Sequence, residues 1–213
     1  MLFEINYNHK IIEKNIDNSI IYIIDDFYLS PHDVLEFFLT VPPELHKKDS
    51  RPSFNSIYFD DRRHKIISDK IVEVYDYLGN ICKQIPGTER NLIVTNFTRF
   101  KKTSYNDYTN NYWWPHKDNG YNAILYLNEG DCYSGTNLYN ALNAEIEPPI
   151  NTNEHYAPWR NKIHYELIES IEPKFNRMVM FDGFKFLHGM NICNDDYFDK
   201  IYRMNQVFFF KRQ

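Results

Sequence analysis

Cysteine is scarce in this sequence. Three residues, Cys82, Cys132 and Cys193, stand among 213 and none forms a CxxC pair. That excludes a disulfide framework and suits a reduced, intracellular setting. No apolar run approaches the roughly 18 residues a membrane-spanning helix needs. The first residues, MLFEINYNHK, lack a basic stretch followed by an apolar one, so no secretory signal is visible. A cytoplasmic protein with no membrane partner is the expectation. Positive charge is not in excess either: 24 Lys and Arg against 29 Asp and Glu give a net charge of −5. This argues against a long nucleic-acid partner. The local basic runs Arg62-Arg63-His64-Lys65 and Lys101-Lys102 read as solvated surface.

Aromatic residues, by contrast, make up 17% of the chain and hydrophobic residues 43%, enough for a sizeable core in one domain spanning 1–213. The wealth of Asn, Ile, Lys and Tyr is typical of an AT-rich genome, as in phages and other viruses. No internal repeat, low-complexity segment or linker interrupts the sequence.

The first 90 residues form a helical/β support region in which two helices are the clearest elements. Ser30-Pro31-His32-Asp33 is a helix start: Ser at the cap, Pro at the first helical position, an acid three residues after the cap. That helix runs to the break at Pro42-Pro43. The spacing of Ile67, Ile71, Val74, Tyr75, Leu78 and Ile81 predicts a second helix over about 65–82, with Gly79 weakening its last turn. From about residue 91 the pattern changes to short strands: Leu92–Thr95, Ala123–Leu127, Thr136–Tyr139, Ile163–Ile168, Arg177–Phe181 and Met204–Phe210. Many short strands separated by turns predict a mainly β fold with flanking α-helices, its core over 91–213 an antiparallel sandwich or barrel of jelly-roll type. The polar stretch of about 140–162, with Pro148-Pro149 and Pro158, reads as an inserted loop, either functional or a plain insertion.

The chemistry concentrates at Trp113-Trp114-Pro115-His116-Lys117-Asp118-Asn119-Gly120. In extended chain, residues two apart face one side, so His116 and Asp118 can address one ion. A neutral imidazole and a carboxylate suit Fe(II). A second His would complete a 2-His-1-carboxylate facial triad, leaving three octahedral positions for cosubstrate and O2. The triplet alone carries little weight. Eight His and 29 acids in 213 residues give about one His-x-acid triplet by chance, and the chain holds two. The other, His164-Tyr165-Glu166, lies in a strand pattern with only His188 downstream, 22 positions beyond Glu166. Two solvent-facing side chains are its simpler role. Asp118 precedes His188 by 70 positions, room for several strands to bring the two together.

From about Leu92 to Phe210 the chain resembles the Fe(II)/2-oxoglutarate-dependent dioxygenases, particularly the prolyl-4-hydroxylase-like branch. The resemblance rests on order. The His-x-Asp triplet is followed by a strand ending Leu125-Tyr126-Leu127-Asn128, and then by Gly135-Thr136-Asn137-Leu138-Tyr139. Next comes the run Ile171 to Phe181 leading into His188, and last Arg203 opening an apolar strand. It implies a double-stranded β-helix core, with His116, Asp118 and His188 as iron ligands and Arg203 on the distal carboxylate of 2-oxoglutarate. A guanidinium grips a carboxylate with two parallel hydrogen bonds. Tyr126 stands where the family often places a hydroxyl on the same carboxylate, though a core aromatic is an equal reading. Asn205 shares a strand face with Arg203. The Arg-x-Asn pair is also similar to the nucleic-acid demethylase branch.

The implied reaction consumes O2 and 2-oxoglutarate, releases succinate and CO2, and hydroxylates a substrate. The branch favours a peptide or protein side chain; a small molecule or a nucleic-acid base is also open. Two features depart from the family pattern: the insertion, and the 15 positions between His188 and Arg203, which the polar loop Asn194-Asp195-Asp196 accounts for. Lys200 and Arg177 are the competing cations, Arg177 reading as structural. Tyr112, Trp113 and Trp114 either wall a substrate cleft or pack. The rival classes are a catalytically silent jelly roll acting as a binding or structural module, and a cupin-like metalloprotein without 2-oxoglutarate.

Overall fold

The computed structural model describes residues 1–45, 59–88, 90–100, 108–130, 134–142, 159–192 and 201–211. Cys132, Cys193, Lys101-Lys102, Lys200, the Asn194-Asp195-Asp196 loop and the middle of the insertion lie outside them. A hairpin comes first, β1 (Ile11–Ile16) and β2 (Ser19–Ile24). Asp17 and Asn18 between them take φ of 49° and 60°. Two left-handed residues give the connection whose twist matches that of the flanking strands. Then follow α1 (Pro31–Thr40), β3 (Glu44–Leu45), β4 (Phe59–Ile67), α2 (Lys70–Cys82) and β5 (Ile85–Pro86). The second half is almost all strand: β6 (Leu92–Phe100), β7 (Asn111–Trp113), β8 (Gly120–Tyr126), β9 (Thr136–Ala141), β10 (Trp159–Asn161), β11 (Tyr165–Ile171), β12 (Met178–Asp182), β13 (Leu187–Met190) and β14 (Arg203–Lys211). The fold is mainly β, with two α-helices among the described residues, and every pairing of these strands is antiparallel.

A large sheet runs in the order β1-β2-β12-β8-β14-β6-β4-β3, with β5 added to β14. A small sheet has the order β11-β9-β13, and a bridge from His188 in β13 to His116 extends it. Strands β7 and β10 form a separate ribbon. Side chains alternate across the large sheet and divide it into two environments. On β8, Tyr121, Ala123 and Leu125 join one apolar cluster with Val34 and Phe38 of α1 and with Val74, Tyr75 and Leu78 of α2. Ile124 and Tyr126 point the other way, into a cluster with Leu138 of β9 and Ile171 of β11. The molecule therefore has three layers: helices, large sheet, small sheet. With β8 covered on both faces, its near-continuous apolar run follows.

Several elements differ from the sequence reading, each for a physical reason. The N-terminal region is less helical than its spacing suggests. It supplies β1 and β2 at one edge of the large sheet and β3 and β4 near the other. The helix expected over 65–82 begins at Lys70, because Lys65, Ile66 and Ile67 pair with Val94, Ile93 and Leu92 in the sheet. Gly79 does end near a chain turn, but its lack of a side chain serves packing: a Cβ there would meet the Gln84 carbonyl at 2.9 Å. Ser30 stands at the cap of α1 with Pro31 behind it, yet its side chain makes no cap hydrogen bond. The basic run at 62–65, expected as solvated surface, lies in β4: Lys65 is exposed and Arg62 and Arg63 are half-buried, while His64 is buried between Phe38 and Phe97. Lys162–His164 form a 3-10 turn, so the strand predicted from Ile163 starts at Tyr165. Both ends of the 140–162 stretch are structured, by β9 and by β10. No helix among the described residues is long and apolar enough to cross a membrane.

Phe208 is buried in the helix-facing cluster, edge-on to Tyr75 with ring centroids 5.1 Å apart. Phe208→Ala should lower stability by about 3–5 kcal/mol, read as a shift of the urea midpoint. Metal binding by the folded variant should persist, because residue 208 faces away from the small sheet.

Candidate metal centre

Two backbone hydrogen bonds build the site. His116 N–H donates to the His188 carbonyl at 3.0 Å, and His188 N–H donates to the His116 carbonyl at 2.8 Å. Residues that exchange both bonds stand opposite one another with side chains on one face. The imidazole centroids are accordingly 4.3 Å apart. This close approach needs Gly189: a Cβ on it would lie 2.3 Å from the Trp113 carbonyl. Trp114 takes φ 46°, a left-handed conformation uncommon for a bulky residue. It aims its carbonyl at His116, whose Nδ1 lies 2.8 Å away. Asp118 follows two residues on, its N–H bonded to the Gly183 carbonyl at 2.8 Å. The expected extended strand at 116–118 is thus a single bridge followed by a pinned backbone, and the i, i+2 relation still holds.

His116, Asp118 and His188 offer ligand atoms that lie within 4.8 Å of one another. The outer hydrogen bonds set the tautomers. Nδ1 of His116 donates to the Trp114 carbonyl, and Nδ1 of His188 to the Phe186 carbonyl at 3.4 Å. Each ring then presents Nε2 as its lone-pair nitrogen, the arrangement that orients metal-binding histidines. His188 Nε2 is 3.2 Å from Asp118 Oδ2. A lone pair and a carboxylate oxygen at that distance repel unless positive charge lies between them. Two cis ligands of an octahedral ion at about 2.1 Å would be about 3.0 Å apart, close to this spacing. Burial is the largest influence on the Asp118 carboxyl and opposes its ionisation. With the imidazoles protonated, the hydrogen bond and charge of His188, the charge of His116 and the Asn122 amide outweigh it and hold the group well below the usual carboxylate range. The group is therefore an anion, and a metal ion would take the place of the ring protons.

Arg203 opens β14 on the face that looks toward the small sheet. It is 5% exposed. Its Nε donates to the Ser134 carbonyl at 2.9 Å and an Nη reaches the Gly135 carbonyl at 3.4 Å. The guanidinium carbon is 5.6 Å from the centroid of the Tyr126 ring. Among the described residues it meets no carboxylate. Tyr126 donates its hydroxyl to Thr136 Oγ1 at 2.7 Å. Asn205 pairs across the ladder with Tyr126 on one side and Asn96 on the other. The side-chain carbonyls of Asn96 and Asn205 are both buried without a hydrogen-bond donor among the described residues.

The remaining candidates fall elsewhere. Arg177 grips Asp25 through Nε and Nη2 at 2.6 and 3.1 Å, a structural role. Glu166 is exposed on β11 and His164 sits in the 3-10 turn, away from any metal-capable group among the described residues. Trp113 packs edge-on against Trp159, and Tyr112 packs on Tyr139. Trp114 borders the site, its ring 5.5 Å from that of His116. Sequence reasoning missed Asn122, Gly183 and Gly189. Asn122 left one signal: a polar amide in the middle of the otherwise apolar β8, where Asn is disfavoured. No protein-family model matches the chain, and no curated protein scores as its relative.

Removing His188 removes one of three ligands. His188→Ala should weaken Co(II) binding by more than the about 10–100-fold that loss of an outer partner costs, read by titration of the visible cobalt absorption. Unchanged cobalt affinity would refute the three-residue site.

Proposed function

We propose that the protein is an Fe(II)- and 2-oxoglutarate-dependent oxygenase with a double-stranded β-helix core, and that it hydroxylates a peptide or protein side chain or a small molecule. The strand orders β12-β8-β14-β6 in one sheet and β11-β9-β13-His116 in the other support such a core. They interleave strands from the two halves of 92–211, as winding a paired ribbon into a β-helix requires. The donor set fits iron: two imidazole Nε2 atoms and a carboxylate suit Fe(II) and leave coordination positions for cosubstrate and O2. Bound iron would supply oxygen activation coupled to decarboxylation of 2-oxoglutarate to succinate and CO2.

The observation that carries the proposal is Arg203. A guanidinium cannot shed its charge, and burying one without an anion is costly. This one lies between the two sheets that also carry the His-Asp-His group, with only carbonyls as hydrogen-bond partners among the described residues. Its natural complement is an incoming carboxylate. Tyr126, beneath the guanidinium, is four positions along β8 from Asn122 at the metal group, about 13 Å between Cα atoms at the usual strand rise. Side chains reaching in from both ends narrow that span to what a five-carbon diacid can bridge. In this arrangement Arg203 binds and orients the distal carboxylate, and the Tyr126 hydroxyl and Asn205 amide border it. The buried Phe181 and Ile124 restrict water on the wall between.

The test separates metal from cosubstrate. Anaerobic addition of Fe(II) and 2-oxoglutarate should produce a weak visible charge-transfer band. Arg203→Met should keep Co(II) binding and lose 2-oxoglutarate affinity by at least about 30-fold, since truncating one partner of a buried charge pair costs about 2–5 kcal/mol. Succinate release measured across peptide, nucleotide and amino-acid pools would then identify the substrate. Metal binding with 2-oxoglutarate affinity unaffected by Arg203→Met would instead indicate a cupin-like metalloprotein. No metal and no band would indicate a silent module.

A further inference from the structure

We propose that Asn122 is a positioning residue of the metal centre: its side-chain amide holds the Asp118 carboxylate in the orientation that presents it to a cation between His116 and His188. The inference rests on the metal part of the proposed function and does not involve 2-oxoglutarate. Asn122 is 2% exposed, the single polar amide in the run Gly120–Tyr126. Its Nδ2 donates to Asp118 Oδ2 at 2.5 Å, and the same nitrogen lies 3.2 Å from His188 Nε2. The amide N–H is directed at the carboxylate, and the single lone pair of His188 Nε2 is left for the cation. The opposite amide orientation would press a carbonyl oxygen against a carboxylate oxygen, so electrostatics fixes which way the group points.

Gly183 completes the device. Its carbonyl accepts the Asp118 N–H at 2.8 Å, and the space its missing side chain leaves is where the Asn122 amide sits. A Cβ on Gly183 would lie 2.7 Å from Asn122 Nδ2 and 2.9 Å from the Gly120 carbonyl. Backbone and carboxylate of Asp118 are therefore held from two sides, by one residue that has no side chain and another that is anchored in a central strand. An amide is suited to this task because it is neutral. Lys or Arg at residue 122 would neutralise the carboxylate that the cation needs; an amide orients it and leaves its charge intact.

The arrangement is poor as pure structure. Asn122 Oδ1 is buried with no hydrogen-bond donor among the described residues. An apolar side chain would avoid burying that oxygen, so position and stability pull in opposite directions here. This opposition supplies the test, using a pair of substitutions of one shape that differ in a hydroxyl. Asn122→Val should lower Co(II) affinity by about 10–100-fold and change the intensity of the visible cobalt bands as the Asp118 ligand loosens. Its urea midpoint without metal should be unchanged or higher. Asn122→Thr keeps a donor and should recover part of the lost affinity. Gly183→Ala should also weaken cobalt binding, by displacing the amide without removing it, and this arm decides the matter where the Asn122→Val protein does not fold. Cobalt affinity unchanged in Asn122→Val and Gly183→Ala, or lost equally in the Val and Thr variants, would overturn the proposal. A folded unaltered protein that binds no Co(II) would overturn the metal reading itself, and this proposal with it.

Discussion

Everything in the site hangs on the paired backbone hydrogen bonds between His116 and His188. They join segments 72 positions apart in the chain and leave no choice about where the imidazoles go. Once residues 116 and 188 face each other across a ladder, both side chains rise from one face, and the i, i+2 relation adds Asp118 to the same group. The pairing sets its own conditions on the neighbourhood. Gly189 must lack a side chain so that the Trp113–Trp114 backbone can come close. Trp114 must adopt its left-handed φ so that its carbonyl meets His116 Nδ1. Such backbone strain persists only where surrounding contacts hold it. The ribbon of β7 and β10, with Trp113 against Trp159, supplies those contacts.

The support region acts on the site from a distance. Its two helices bury the far face of β8, β12 and β14, and its strands lengthen the large sheet at both ends. Without that layer the strands carrying Asn122 and Arg203 would expose an apolar face to water. The inter-sheet face is then relieved of the main burden of core formation and can carry polar groups. The Asn176 side chain ties the layers further: it accepts from the Tyr28 backbone N–H and donates to the Tyr28 carbonyl, both at 2.9 Å.

Much of this was legible in the sequence where local chemistry decides. The two helices, the run of short strands after residue 91 and the His-x-Asp triplet all depend on neighbours in sequence. The order of Tyr126, His188 and Arg203 added long-range information that no local pattern carries. What could not be read depends on pairing. Lys65 and Ile67 fit a helical stripe as well as a strand, and only the ladder with Val94 and Leu92 decides between them. The β1–β2 hairpin turned on Asp17-Asn18, a weaker turn signal than one containing Gly. Glycines 183 and 189 look like ordinary loop and strand residues until the atoms that would collide with a Cβ are in place. Asn122 was visible only as an anomaly, a polar residue in an apolar strand, without the partner that explains it.

Unpaired polar atoms alone do not mark the inter-sheet space as a binding site. Thr95 and Gln206, on the helix-facing side, also keep a buried polar atom without a partner among the described residues. Charge is what separates the two faces. A neutral amide left unsatisfied costs about 1–3 kcal/mol, whereas a buried ion without a counter-ion costs several. The inter-sheet face holds a half-buried anion, Asp118, which accepts from the Asn122 amide beside His188, and a buried cation, Arg203, whose hydrogen bonds among the described residues go to two carbonyls. The two charges lie at different ends of β8 and β14, so neither is arranged to neutralise the other. Against a total stability of about 5–15 kcal/mol, a buried guanidinium without an anion is a large cost. A metal ion at one end and a carboxylate at the other would cancel both terms. A single ligand that binds the metal and carries a second, distal carboxylate would satisfy both ends at once.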